Sequence, residues 1–211
     1  MSRPVIVIGG GGHGRVVIEA LLRGGEEVLG VVDPDRRVAA LLPKGVAWLG
    51  DDQVLAAHPP QSCVLVIGIG GIGSARRRLV FEKLSAAGYP FLMVRHPAAV
   101  VAEDVVLGEG CQVMAGAILQ PGAQVGVNAI INTRAAVDHD CHIGDHAHVA
   151  PGAVLCGDVE IGSNTHLGAG AVVIQGVRIG SGCIVGAGST VLRDVGDNII
   201  VYGRRRERRR P

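Results

Sequence analysis

The chain has 211 residues, room for one large domain or two small ones, with a formal net charge of +1. Only 2% of residues are aromatic, while aliphatics are abundant and glycines number 33, so thin layers of Val, Ile and Leu are expected instead of a core built on rings. No basic face interleaved with aromatics exists, which argues against nucleic acid as a partner. The longest early apolar run, Val5 to Ile8, is far short of the roughly 20 residues of a membrane span, so no membrane partner and a cytoplasmic location are expected.

The first 95 residues alternate strand-like and helix-like segments. "VIVIG" reads as a buried strand and "RVVIEALLRGG" as an amphipathic helix closed by glycine. "EVLGVVD" is a second strand, "DDQVLAAH" a short helix behind an acidic start, and "CVLVIGIG" a third strand. "SARRRLVFEKLSAAG" is a helix and "YPFLMV" a last short strand. Strands alternating with helices over short connections predict a small Rossmann-like parallel sheet. The loop "GGGGHG" lies between a strand and a helix, where backbone N–H groups stabilise a phosphate. Gly9, Gly11 and Gly14 satisfy GxGxxG and Asp33 ends the next strand, but the unit is too short for the two halves a dinucleotide spans.

"RHPAAV" breaks this pattern, and the domain boundary is set at 95/96. From Val101 an aliphatic residue recurs every sixth position through Val191, sixteen times in succession. Four residues after it comes a small side chain, as at Ala117, Ala123, Ala129, Ala135, Cys141, Ala147 and Ala153. A period of six fits neither an α-helix nor a flat sheet. It fits a β-helix whose three short sides close a coil of eighteen residues, five coils over 101–190. The five cysteines form no CxxC pair and read as buried thiols in a reducing compartment.

"VDHDCHIGDHAH" (137–148) packs four histidines and four Asp or Cys into twelve positions. Eighteen-residue stacking sorts them: the four point in different directions, and the stacked pair is His148 with His166. Zinc wants three or four convergent ligands, so a metal site is disfavoured, and His142 and His146 read as surface residues. His139 lies between Asp138 and Asp140, with Gly157 one coil above. A carboxylate beside an imidazole orients it and raises its basicity, and the stacked glycine leaves room for a reacting group and a backbone N–H. His139 is therefore a candidate general base, with a solvated turn histidine as the alternative.

The hexad run resembles the hexapeptide-repeat acyltransferases, which build a left-handed triangular β-helix and assemble as trimers. The stretch "NTRAAVDHDCHIGDHAHVAPGAVLCGDVEIG" (132–162) is similar to the active site of the bacillosamine, perosamine and sialic-acid acetyltransferases. The resemblance implies that His139 is the base, polarised by Asp140, and that His148 contacts acetyl-CoA. It also implies that Gly157, Ala169 and Ala187 line the coenzyme groove, with Asn132 close by. On the glycine loop it implies that Gly11, Gly12 and His13 contact the diphosphate or sugar of a nucleotide-linked amino sugar, and that Asp33 and Gly68 contact the nucleotide.

The chain departs from the family at Asp33–Pro34, where two acidic residues are common, and in its ending. "RRRERRR" (204–210) carries +5, leaving −4 elsewhere. It reads as a solvated tail or, alternatively, as arginines that approach the CoA phosphates. The expected activity is acetyl-CoA-dependent N-acetylation of a 4-amino-6-deoxysugar by a cytoplasmic homotrimer with no metal required. Open alternatives are O-acetylation of the sialic-acid type, a zinc-dependent enzyme like the gamma-class carbonic anhydrases, and a non-enzymatic nucleotide sensor.

Overall fold

The computed structural model describes residues 3–71 and 75–203. Four parallel strands, β1 (Val5–Ile8), β2 (Val28–Val32), β3 (Ala47–Gly50) and β4 (Val64–Ile67), form a sheet in the order β3-β2-β1-β4. The central strand β1 is buried along its whole length, as a parallel strand covered on both faces must be. Helices α1 (Gly12–Arg23) and α2 (Ala75–Ala86) complete the unit. The expected short helix at "DDQVLAAH" is a 3-10 turn over Asp52–Ala57, capped by the Asp51 carboxylate on Gln53 N. A second 3-10 turn (Arg36–Leu41) and β3 itself fall between "EVLGVVD" and "DDQVLAAH", where no element is expected from the sequence. β3 is short and carries a glycine at its end, which weakens the strand pattern.

The last expected strand of this sheet belongs elsewhere. Phe91 makes one bridge to Leu65, but Val94–Arg95 pairs with Gln112–Val113 as the first rung of the β-helix. From there, two-residue strands stack into three parallel sheets of seven, six and five strands. Each rung pairs with the rung eighteen residues on, for instance Ile131 with Val149 and Val149 with Leu167. The ladder outruns 101–190 at both ends. Its last coil is two residues short, since Val185 pairs with Val201 and Ile179 with Val195.

The hexad aliphatics point inward. From Val113 to Val191 they are all buried, and Ala117, Ala123, Ala129, Ala135, Cys141, Ala147 and Ala153 fill the corners at 0% exposure. Small corner residues let three flat sides close without overpacking. The fold is a left-handed parallel β-helix behind a small parallel α/β unit.

The two parts are stitched at named atoms. Arg77 of α2 is buried, and its guanidinium donates to the carbonyls of Asn128, His146 and Ala147. Gln112, at 0% exposure, bonds both the Ile67 carbonyl and His13. Among the described residues no helix is long and apolar enough to cross a membrane.

Candidate active site

The glycine loop folds as its spacing demands. Gly9 has a φ of +101°, a conformation costly for other residues. A Cβ at Gly14 would collide with the Gly9 carbonyl, so helix α1 can start tight against β1 only with glycine there. Gly11 caps α1 with no side-chain hydrogen bond and is open to solvent. The first-turn N–H groups thus lack the side-chain partner that helix starts commonly use. All five sequence-expected substrate residues, Gly11, Gly12, His13, Asp33 and Gly68, line one cavity of about 760 Å³. Arg76, Asp35, Asp51 and Gln53 share it.

Asp33 is committed to the loop. One carboxylate oxygen accepts from Gly10 N at 2.7 Å and the other from Asp35 N at 2.8 Å. Asp35 in turn binds the Arg37 guanidinium with both oxygens. His13 faces Gln112 at 2.8 Å, and burial holds its pKa below the ordinary value, with Arg77 adding to the shift.

His139 stands on a different edge, in the turn between Ala136–Val137 and His142–Ile143, which lie in two different sheets. Its Nδ1 is 2.8 Å from Asp140 Oδ2, and both side chains are exposed, at 60% and 66%. Asp140 reaches back because its backbone is left-handed, with φ 59°. The Asp140 hydrogen bond raises the His139 pKa, and the charges of Asp138, Asp140 and Asp158 add to it. The imidazole lies over Gly157 so closely that a Cβ there would collide with Nε2. Bonded at Nδ1, the ring presents Nε2 above a bare backbone.

His148 and His166 stack as expected, ring centroids 4.8 Å apart. Burial drives the His148 pKa down to about 3, helped by His166 and Arg77, so its ring is neutral. Asn132 Nδ2 lies 3.0 Å from His148 Nε2, which places Asn132 with His148 and not on the His139 edge. Ala169 and Ala187 follow His166–Leu167 and Ile184–Val185 on the edge after the seven-stranded sheet, whereas Gly157 sits under His139. His146 is not the surface residue expected. It is half-buried, bonds Asn128 Nδ2 at 2.9 Å and packs edge-on against Phe81. His142 is exposed. Among the described residues no group of three or more His, Cys, Asp or Glu could hold a metal ion. The arginine tail, 204–210, lies outside the described residues.

Residues 4–84 match the PglD N-terminal domain, and residues 158–193 match the bacterial transferase hexapeptide (six repeats). A crystal structure of a mutant GDP-perosamine N-acetyltransferase from Caulobacter crescentus, in complex with CoA and GDP-perosamine, is 43% identical. That match covers 95% of this chain and 93% of that one, with a TM-score of 0.87. The chain belongs to the hexapeptide-repeat sugar acetyltransferase family.

Within this family the acetyltransferase domain of PglB from Neisseria gonorrhoeae, in complex with acetyl coenzyme A, is 34% identical. It is covered over 96% of this chain and 97% of that one, with a TM-score of 0.86. UDP-N-acetylbacillosamine N-acetyltransferase of Bacillus subtilis is 35% identical over 120 residues, 53% of this chain. The match spans about half the length of that curated relative, 51%. Two polar residues that hold the family's two parts together here, Arg77 and Gln112, were not singled out from sequence. Arg77 is one of three consecutive arginines. Gln112 could have been found, because its outward position stacks one coil below Ile130 and two below His148.

Proposed function

We propose that the chain is an acetyl-CoA-dependent N-acetyltransferase acting on the amino group of a nucleotide-linked 4-amino-6-deoxysugar, with His139 as general base. The observation that carries this reading is the His139–Asp140 pair at 2.8 Å over the bare backbone of Gly157. Nδ1 is tied to the carboxylate, so Nε2 is the atom free to accept a proton from the attacking amine. The amine nitrogen bonds to the thioester carbon, and the oxyanion is steadied by a backbone N–H near Gly157. Collapse then breaks the C–S bond, and CoA leaves as the thiol with the proton held by His139.

In this reading the N-terminal unit, 1–95, holds the nucleotide sugar through its glycine-loop cavity. The β-helical part, 96–211, holds acetyl-CoA, with His148, Asn132, Ala169 and Ala187 along its groove. The cytoplasm is the proposed place of action.

Within one chain His139 stands on a different edge from His148 and the glycine-loop cavity, so the proposed site is completed between copies in a homotrimer. One sheet supports this. Val100, Ile118 and Val154 stand outward on it, 63%, 38% and 37% exposed, the first two one coil apart and the last two separated by the half-buried Ala136. An outward apolar column of this kind marks an interaction surface.

The test is thiol release from acetyl-CoA with a panel of UDP-, dTDP- and GDP-linked 4-amino-6-deoxysugars and free sialic acid. Turnover with one nucleotide sugar is expected. His139→Ala should lower it by about 10²- to 10⁴-fold, the usual worth of a general base, while leaving the fold intact. Turnover with sialic acid alone would move the reading to O-acetylation, and near-full rate in His139→Ala would remove the base.

A further inference from the structure

Gln112 is fully buried at the seam between the first sheet and the β-helix. Its amide nitrogen donates to the Ile67 carbonyl at 2.7 Å, and its oxygen lies 2.8 Å from His13 Nε2. A carbonyl oxygen can only accept, so the Ile67 contact fixes which way the amide faces. The Gln112 oxygen must then be the atom against the imidazole, and His13 Nε2 must carry a proton to bond it. Burial and the nearby Arg77 cation both oppose a second proton on the ring. The imidazole is therefore the neutral Nε2–H tautomer, with a lone pair on Nδ1. Among the described residues no hydrogen bond uses that Nδ1, and the ring lines the glycine-loop cavity.

The geometry points to Gln112 and His13 as a positioning pair that makes this cavity read a hydrogen-bond donor on the sugar, not the charge of the diphosphate. A diphosphate at neutral pH offers acceptors only, and a lone pair turned toward it repels. The diphosphate falls instead to the open first-turn N–H groups of α1 and to Arg76, which lines the same cavity. A sugar hydroxyl or amine does carry a donor for Nδ1. The inference rests on the nucleotide-sugar reading for the ligand, but the tautomer stands without it, on the Gln112 geometry and the burial of the ring.

Two measurements separate these. Long-range ¹H–¹⁵N spectra of the full chain should show His13 with Nε2 protonated and Nδ1 bare across neutral pH. In Gln112→Leu the same ring should become a mixture of tautomers. A protonated Nδ1 in the unaltered protein overturns the proposal. Calorimetric titration would then use GDP, UDP and their 4-amino-4,6-dideoxyhexose conjugates. For the nucleotide that binds, His13→Leu should weaken the conjugate about tenfold, the worth of one hydrogen bond, and leave the bare diphosphate within about twofold. Gln112→Leu should give the same split with His13 in place. Equal loss of the bare diphosphate overturns the sugar contact. If the unaltered protein bound none of the four, the nucleotide-sugar reading would fall, and the sugar contact with it, while the spectra would still decide the tautomer.

Discussion

His139 and Asp140 are adjacent in sequence, yet adjacency alone does not bring two side chains together. The left-handed backbone of Asp140 does, turning its carboxylate back onto Nδ1. Because that bond raises the His139 pKa, the base loses its proton at a higher pH than an ordinary histidine. Activity should therefore fall with decreasing pH through a limb set above the ordinary histidine value. Asp140→Asn should shift the limb to lower pH while reducing the plateau, read as kcat/KM against pH. A limb that stayed in place would remove Asp140 from the mechanism. This dyad was legible because its members are neighbours stacked on a glycine at a fixed interval. The His13–Gln112 bond spans 99 residues, and no local pattern announces a contact of that kind.

At the scale of the element, the repeat carries a second regularity beside the inward aliphatics. Positions 110 to 188 taken every sixth residue, fourteen in all, have φ between 52° and 77°. Eight of them are glycine; the others are Asn128, Arg134, Asp140, His146, Asp158 and Asn164. Asn and Asp tolerate this region, whereas most side chains pay to enter it. Arg134 is exposed and at φ 57°, so Arg134→Gly should stabilise the coil by about 0.5–1 kcal/mol after allowing for the greater unfolded freedom of glycine. The midpoint of denaturant unfolding would measure it, and a lowered midpoint would mean that the arginine side chain contributes more than its turn costs. The column escapes a hydropathy reading because Gly, Asn, Arg, Asp and His share a backbone angle and no polarity.

For the whole molecule, the proposed assembly turns on the outward ladder Val100–Ile118–Val154. Paired Ile118→Asp and Val154→Asp changes should convert a trimer of 21.7 kDa chains to monomers in sedimentation, and abolish turnover without unfolding either part. Trimers that persisted and worked would place the interface elsewhere. Sixteen aliphatics in step made the β-helix legible, but how the first sheet docks on it was not. That arrangement depends on Arg77 and Gln112, two polar residues whose burial is decided only when the parts meet.

The eighteen-residue register gives this architecture a ruler. Gln112 ties the glycine-loop cavity to the second rung of the seven-stranded sheet, and His139 stands a coil and a half farther along the chain. Adding or removing one coil between them would keep every inward aliphatic in step and cost the core little. It would also displace the base along the axis by one strand spacing, about 4.8 Å, where a misplacement of about 1 Å already costs about a hundredfold in rate. Length in this half of the chain is thus free to change only in whole coils beyond the base, and the distance from the cavity to His139 is quantised by the stacking itself.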